Sequence, residues 1–186
     1  MAVTSYRGQL LLATPRLVEP TFARAVLLML EHSEDGALAV VLNRPTELTV
    51  LEALPSWSDL AAEPARVFAG GPVSPEAAVC LGRVDPAAIP DDGWARLSGE
   101  LATVDLDTDP TGLVGTVAAV RLFSGYAGWA PQQLEAELAV GSWYVVDAEA
   151  GDVFSAEPEG LWRGVLRRQR GSLAMVATFP PDPSLN

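Results

Sequence analysis

The chain has 186 residues, 49% of them hydrophobic, and a formal net charge of -12. That length and apolar content suit one domain with a sizeable core and exclude a largely disordered chain. The negative charge opposes non-specific contact with nucleic acid or anionic lipid, and no stretch reaches the ~18 consecutive apolar residues of a membrane-spanning helix. Taken in chain order, GQLLLATP (Gly8 to Pro15) reads as a first strand, ended by Pro15. AVLLMLEH (Ala25 to His32) is an unbroken apolar run of strand length, as expected of a strand covered on both faces. The turn SEDG and the run ALAVVLNRP complete a hairpin, which Asn43-Arg44-Pro45 ends because proline cannot continue an interior strand. Thr49 and Glu52 stand at the capping-box spacing and predict a helix start. VFAGGPV is a short strand closed by a sharp change of direction at Gly70-Gly71-Pro72.

Between Asp85 and Pro110 seven acids stand against Arg96 alone, and the periodicity is weak. This stretch reads as a long irregular excursion with one short strand near Glu100 to Asp105. LVGTVAAVRLFSGYAGW restores a strand. APQQLEAELAVG predicts a helix with Pro131 at its first position, Leu134 and Leu138 on one face, and Gly141 past its end. Glu135 and Glu137 lie two apart, so they face different ways, and both read as a solvated surface. In SWYVVDA, alternation sends Trp143 and Tyr144 to opposite faces. EGLWRGVLRRQRG predicts a basic amphipathic helix with Leu161, Val165 and Leu166 inward; its arginines 163, 167, 168 and 170 read as mostly solvated. Residues 172–186 read as a frayed tail after a core of about 8–171. Strands and helices alternate irregularly without repeat or linker, so the expected class is α+β in a single domain.

All 12 cations are arginine, and the chain has one histidine and one cysteine. Lysine-dependent chemistry and a Walker loop are therefore excluded. A zinc centre is not expected from one His and one Cys. The lone Cys80 permits no internal disulfide, and the N-terminus lacks the layout of a signal peptide; a cytoplasmic protein is expected.

The order of four motifs is distinctive: LLATPRLVEPTFARAVLLMLEHSEDGALAVVLNRPT, VFAGGPV, RLFSGYAGWAPQQLEAELAVGSW and DVFSAEPEGLWRGVLRRQ. Over roughly Gly8 to Gly171 the chain resembles the YqgE/AlgH family of bacterial proteins. The resemblance implies one α+β domain whose bifurcated, mostly antiparallel sheet curls into a pseudo-barrel with flanking helices. It implies no defined reaction, although a transcriptional-regulator label attaches to one branch. The chain departs from the family where a Leu-His pair often follows the GGP motif: here the segment reads SPEAAVCLGRVD.

Candidate site residues follow from the motifs. Asn43, Arg44 and Pro45 end one apolar strand, and the Arg44 guanidinium suits a carboxylate or phosphate; an internal tether to a carbonyl is the alternative. Gly70, Gly71 and Pro72 allow close approach of a ligand or of another backbone. Tyr126, Gly128, Trp129 and Gln133 combine aromatic surface with the start of a helix, where free amides receive anions; core packing is the alternative. His32, the one histidine, is a candidate base, or else a strand-end residue bonded to backbone. These segments are expected to converge on one cleft of a non-catalytic binding or regulatory protein. No catalytic set, cofactor or metal is assigned, and the partner is a small molecule or a protein. The rival readings are a hydrolase-like enzyme using His32 or a carboxylate, and direct DNA binding, for which only the C-terminal arginine face offers a footprint.

Overall fold

The computed structural model describes residues 4–180. Its ten strands form one strongly curled sheet, a half-barrel flanked by helices within a single α+β domain. The strands are β1 (Gln9–Ala13), β2 (Val26–Ser33), β3 (Gly36–Val41), β4 (Pro45–Thr49), β5 (Arg66–Ala69), β6 (Val73–Val84), β7 (Trp94–Ser98), β8 (Leu101–Val104), β9 (Val117–Trp129) and β10 (Trp143–Asp147). The main path runs β10-β1-β2-β3-β9-β6-β8-β7, with β4 paired to β5. Strand β9 is where the sheet forks. Along one edge it pairs antiparallel with β6; along the other it pairs parallel with β5 at residues 122–124 and antiparallel with β3 at residues 127–129.

The apolar runs behave as two-faced strands. Leu10 and Leu12 face one core cluster while Leu11 and Ala13 face another, and Val26 to Leu30 alternate in the same way. The first cluster fills the face covered by α3 (Ala150–Val153), α4 (Leu161–Arg168) and α5 (Ser172–Val176). The opposite face packs under α2 (Gln133–Ala139) through Leu134. Trp143 and Tyr144 separate onto these two faces, as alternation requires. On the far wing a third cluster gathers Trp57, Cys80, Trp94 and Val120. The capping box at Thr49 and Glu52 is present and opens α1 (Val50–Ala53).

Three local expectations need correction. The acidic excursion holds a hairpin, β7 and β8, not one strand; Trp94, Leu97, Leu101 and Val104 are buried behind the acid-rich turns that obscure their pattern. Helix α2 begins at Gln133 after Gln132 in the left-handed region, so Pro131 precedes the helix instead of opening it. Ser172–Val176, expected as tail, is α5, and Ala177 is buried in the first cluster. The remainder of that tail, residues 181–186, lies outside the described residues.

Two features fix the fork. Gly125, with φ +72°, sits against the GGP turn, and the backbones of Gly70, Gly71 and Gly125 touch without side chains between them. Gly70 also bridges two strands: its N–H donates to Ser124 and its carbonyl accepts from Val41. Nearby, the Arg121 side chain is buried across the face of Phe68, with its guanidinium carbon 4.3 Å from the ring centroid. It donates to the carbonyls of Glu63 (2.9 Å), Ser155 (3.2 Å) and Pro64 (3.3 Å). Burial holds this guanidinium below its ordinary pKa range, with Glu63 opposing the shift.

Candidate functional site

The loop from Thr14 to Ala25, between β1 and β2, separates two clefts. Its Ala23 and Arg24 line one, and its Leu17 and Phe22 line the other. Predicted site residues fall into both, so the expected single cleft resolves into two.

The first cleft, of about 440 Å³, is lined by Arg24, Arg44, Glu159, Gly160, Trp162 and Arg163, with Asn43 and Pro45 at the end of β3. Asn43 is buried and works as a brace. Its Oδ1 accepts the N–H of Val26 at 3.0 Å, and its Nδ2 donates to the carbonyl of Arg24 at 2.9 Å. Arg44 Nη2 donates to the carbonyl of Ala23. Together they lock the end of the loop, where Arg24 takes φ 56°, a left-handed conformation uncommon for arginine and worth about 1–3 kcal/mol of strain. The Arg24 guanidinium lies 4.6 Å over the Trp162 ring. It donates to the carbonyl of Phe179 at 2.8 Å, which also accepts from Arg163 at 3.3 Å.

Electrostatically this cleft is one-sided. Among the described residues Arg24, Arg44 and Arg163 form no salt bridge. Burial holds Arg24 and Arg44 below the ordinary arginine range, and at Arg24 the like charge of Arg163 adds to the effect. Arg163 keeps a buried Nε–H that meets no acceptor. Among the described residues Glu159 is the one acid on the cleft wall, and it is exposed. The cleft also receives the start of α4, whose N-cap Gly160 supplies no side chain to the first-turn amides.

The second cleft, of about 350 Å³, gathers Pro72, Gly128, Trp129 and Gln133 with Glu137 and Trp143. Glu137 organises it. One carboxylate oxygen accepts from the indoles of Trp129 at 2.9 Å and Trp143 at 2.8 Å, and the other accepts from Gln133 at 3.0 Å. Trp129 and Trp143 meet edge to face and are 7% and 5% exposed, so their rings belong chiefly to the core. Glu137 and Glu135, expected as solvated surface, each hold a buried partner.

The partner of Glu135 is His32, which lines neither cleft. The His32 side chain is 1% exposed and stacks on Tyr6 with ring centroids 5.2 Å apart. Its Nδ1 accepts the N–H of Tyr6, which assigns the proton to Nε2. Nε2 donates to Glu135 Oε1 at 2.9 Å. Hydrogen bonding, first from the backbone and then from His32, holds the Glu135 carboxyl below its usual range. Glu135→Ala strands a buried donor and should cost about 1–3 kcal/mol. Glu135→Gln keeps the acceptor and should stay within about 0.5 kcal/mol of the parent. Chemical denaturation of the two variants separates these outcomes.

Gly70, Gly71 and Tyr126 also line neither cleft. The glycines meet backbone at the fork, and Tyr126 packs against the first core cluster. Cys80 is buried in β6, where desolvation pushes its thiol up to about 12 and removes thiolate at neutral pH. Among the described residues no group of His, Cys, Asp and Glu is placed to hold a metal, and no helix is long and apolar enough to cross a membrane. The cleft residues that sequence reasoning missed are Arg24, Trp162 and Arg163. No spacing along the chain joins position 24 to position 163; only the fold brings the loop and α4 together.

Comparison with known proteins places this geometry. The sequence model described as AlgH-like matches residues 10–174. A UPF0301 protein of Streptomyces coelicolor is 55% identical over 99% of this chain and 97% of its own. A UPF0301 protein of Mycobacterium tuberculosis is 46% identical over 96% of this chain and 90% of its own. A crystal structure of a Corynebacterium diphtheriae protein superposes with TM-score 0.89 at 33% identity, covering 93% of this chain and 92% of that one. The solution structure of the AlgH protein from Pseudomonas aeruginosa gives TM-score 0.68 at 28% identity, covering 97% of each chain.

Proposed function

The chain belongs to the AlgH-like family, and on that premise we propose that it is a non-catalytic binding protein for a small anion held in the Arg24–Arg44–Arg163 cleft. One observation carries the reading: among the described residues three arginines line one cleft without a salt bridge, in a chain whose net charge is -12. Desolvating a cation without a counter-ion is costly, and a bound phosphate or carboxylate relieves that cost at Arg24 and Arg44. Guanidinium groups present planar donor forks suited to such an anion, and the start of α4 adds helix dipole of the right sign. Glu159 tempers the site.

The hydrolase reading finds no comparable support, because His32 has both ring nitrogens engaged and lies away from the clefts. Direct DNA binding loses half of its footprint. Of the four arginines on the C-terminal helix segment, Arg163 lines the cleft and Arg168 is bidentate to buried Asp152 at 2.5 and 2.7 Å. A regulatory output is read here as ligand-dependent contact with a protein partner, in the cytoplasm, where a chain with one cysteine needs no oxidising environment.

The test is a thermal-shift titration with inorganic phosphate. Saturation near 100 times the dissociation constant adds about 2.7 kcal/mol, or roughly 5–10 °C for a domain of this size. Arg44→Gln should abolish most of that shift, and Glu159→Gln should enlarge it. A phosphate shift that survives Arg44→Gln unchanged would remove the anion from this cleft.

A further inference from the structure

The arginine cleft has an apolar arm. It shares Ala23, Arg24 and Trp162 with a second, mostly apolar hollow of about 270 Å³, whose remaining walls are Pro15, Leu17, Val18, Phe179 and Pro180, with Thr14 and Arg16 beside them. The two spaces meet at the Arg24 guanidinium, which stacks on Trp162 and is pinned by the Phe179 carbonyl. On one side of that junction stand Arg44 and Arg163. On the other stand a proline-flanked aliphatic wall and a phenyl ring. Val18 is 64% exposed and Phe179 42%, so apolar surface remains open to solvent beside a cluster of cations.

We infer that the ligand is an anionic amphiphile, with a single phosphate or carboxylate head between Arg44 and Arg163 and an apolar tail in the arm beyond Arg24. This rests on the anion-binding reading above and adds the class of molecule. The charge pattern selects the head: a cationic head would face three guanidinium groups, whereas an anion meets their donors. The size of the arm bears on the tail. About 270 Å³ takes roughly nine groups the size of a water molecule, so the gain per added carbon should fade near eight carbons. Arg24 marks the junction of the two halves: its guanidinium lies on Trp162 and its Nη2 donates to the carbonyls of Phe179 and Pro180 at the rim of the arm, so its stem forms apolar wall.

The experiment is calorimetric titration of the full chain with inorganic phosphate, then butyl, hexyl and octyl phosphate, then octylammonium, and finally vesicles containing phosphatidic acid. Binding should tighten about three- to fourfold per methylene and level off near octyl, while octylammonium should not bind. Val18→Asn, an uncharged polar change at an exposed wall residue, should weaken octyl phosphate several-fold and leave inorganic phosphate unchanged. If neither inorganic phosphate nor any alkyl phosphate binds, the anion reading falls and takes this inference with it. If phosphate binds but affinity is flat with chain length, the anion reading stands and the amphiphile is overturned. Equal binding of octylammonium, or binding to vesicles without binding to monomeric octyl phosphate, also overturns it, the latter by pointing to a membrane headgroup instead of a free amphiphile.

Discussion

Gly125→Ala is expected to destabilise the protein by more than about 4 kcal/mol, the range reserved for changes the fold cannot absorb. A Cβ at this position would stand 2.6 Å from the carbonyl oxygen of Gly71, 2.9 Å from that of Val73 and 3.3 Å from the Cα of Pro75. All three neighbours are backbone, so no side-chain rotation relieves the clash. The φ of +72° adds left-handed strain that alanine does not tolerate well. For a chain of this size the loss corresponds to a melting-temperature drop of at least roughly 8–16 °C. Gly164→Ala is the control. It lies inside α4 with nothing within 4 Å of the new methyl, so it should raise stability by up to about 1 kcal/mol. Paired thermal melts decide the matter: if Gly125→Ala melts within about 2 °C of the parent, the fork is not held by backbone contact as described.

Arg121→Ala is expected to cost about 3–5 kcal/mol. Three carbonyls from two separate segments, Glu63 and Pro64 before β5 and Ser155 after α3, lose their shared donor in a buried setting. Phe68 loses the cation over its face, and the vacated volume is that of one of the largest fully buried side chains. Arg121→Lys keeps the charge but cannot reproduce the planar fork, so it should recover only part of the loss. Urea unfolding with unchanged m-values would give the cost directly. A variant within about 1 kcal/mol of the parent would mean that these carbonyls find other donors.

Much of this architecture is legible along the chain. The unbroken run from Ala25 to Met29 is buried residue by residue on alternating faces, and the Thr49–Glu52 cap forms as its spacing requires. Where the reading fails, the reason is physical. The β7–β8 hairpin carries its apolar residues between acids and short turns, so no window holds a full period. The candidate site is harder to read because its parts are distant in sequence. Arg44 declares itself at a strand end, but Arg24 sits in an irregular loop and Arg163 looks like surface on an amphipathic helix. Gly70 and Gly71 allow close approach, and the backbone that they approach is that of Gly125 and Tyr126. The Trp129 segment raised the question of core or binding surface, and the geometry divides it: the indoles are core, tied by Glu137, while Gly128 and Gln133 face a cleft.

The forked strand β9 has a consequence for how the chain reaches this state. Strands β1, β2 and β3 leave the ribosome first, yet β3 can be completed only by residues 127–129 and β1 only by residues 143–147. The N-terminal wing must therefore wait, its β3 edge unpaired through nearly half of the molecule's synthesis and its β1 edge through more than half. Such non-local closure makes folding slow and leaves the early wing open to chaperones and to mispairing. Once β9 arrives it templates both wings together, so the two halves should gain hydrogen-exchange protection as one cooperative unit instead of in sequence order.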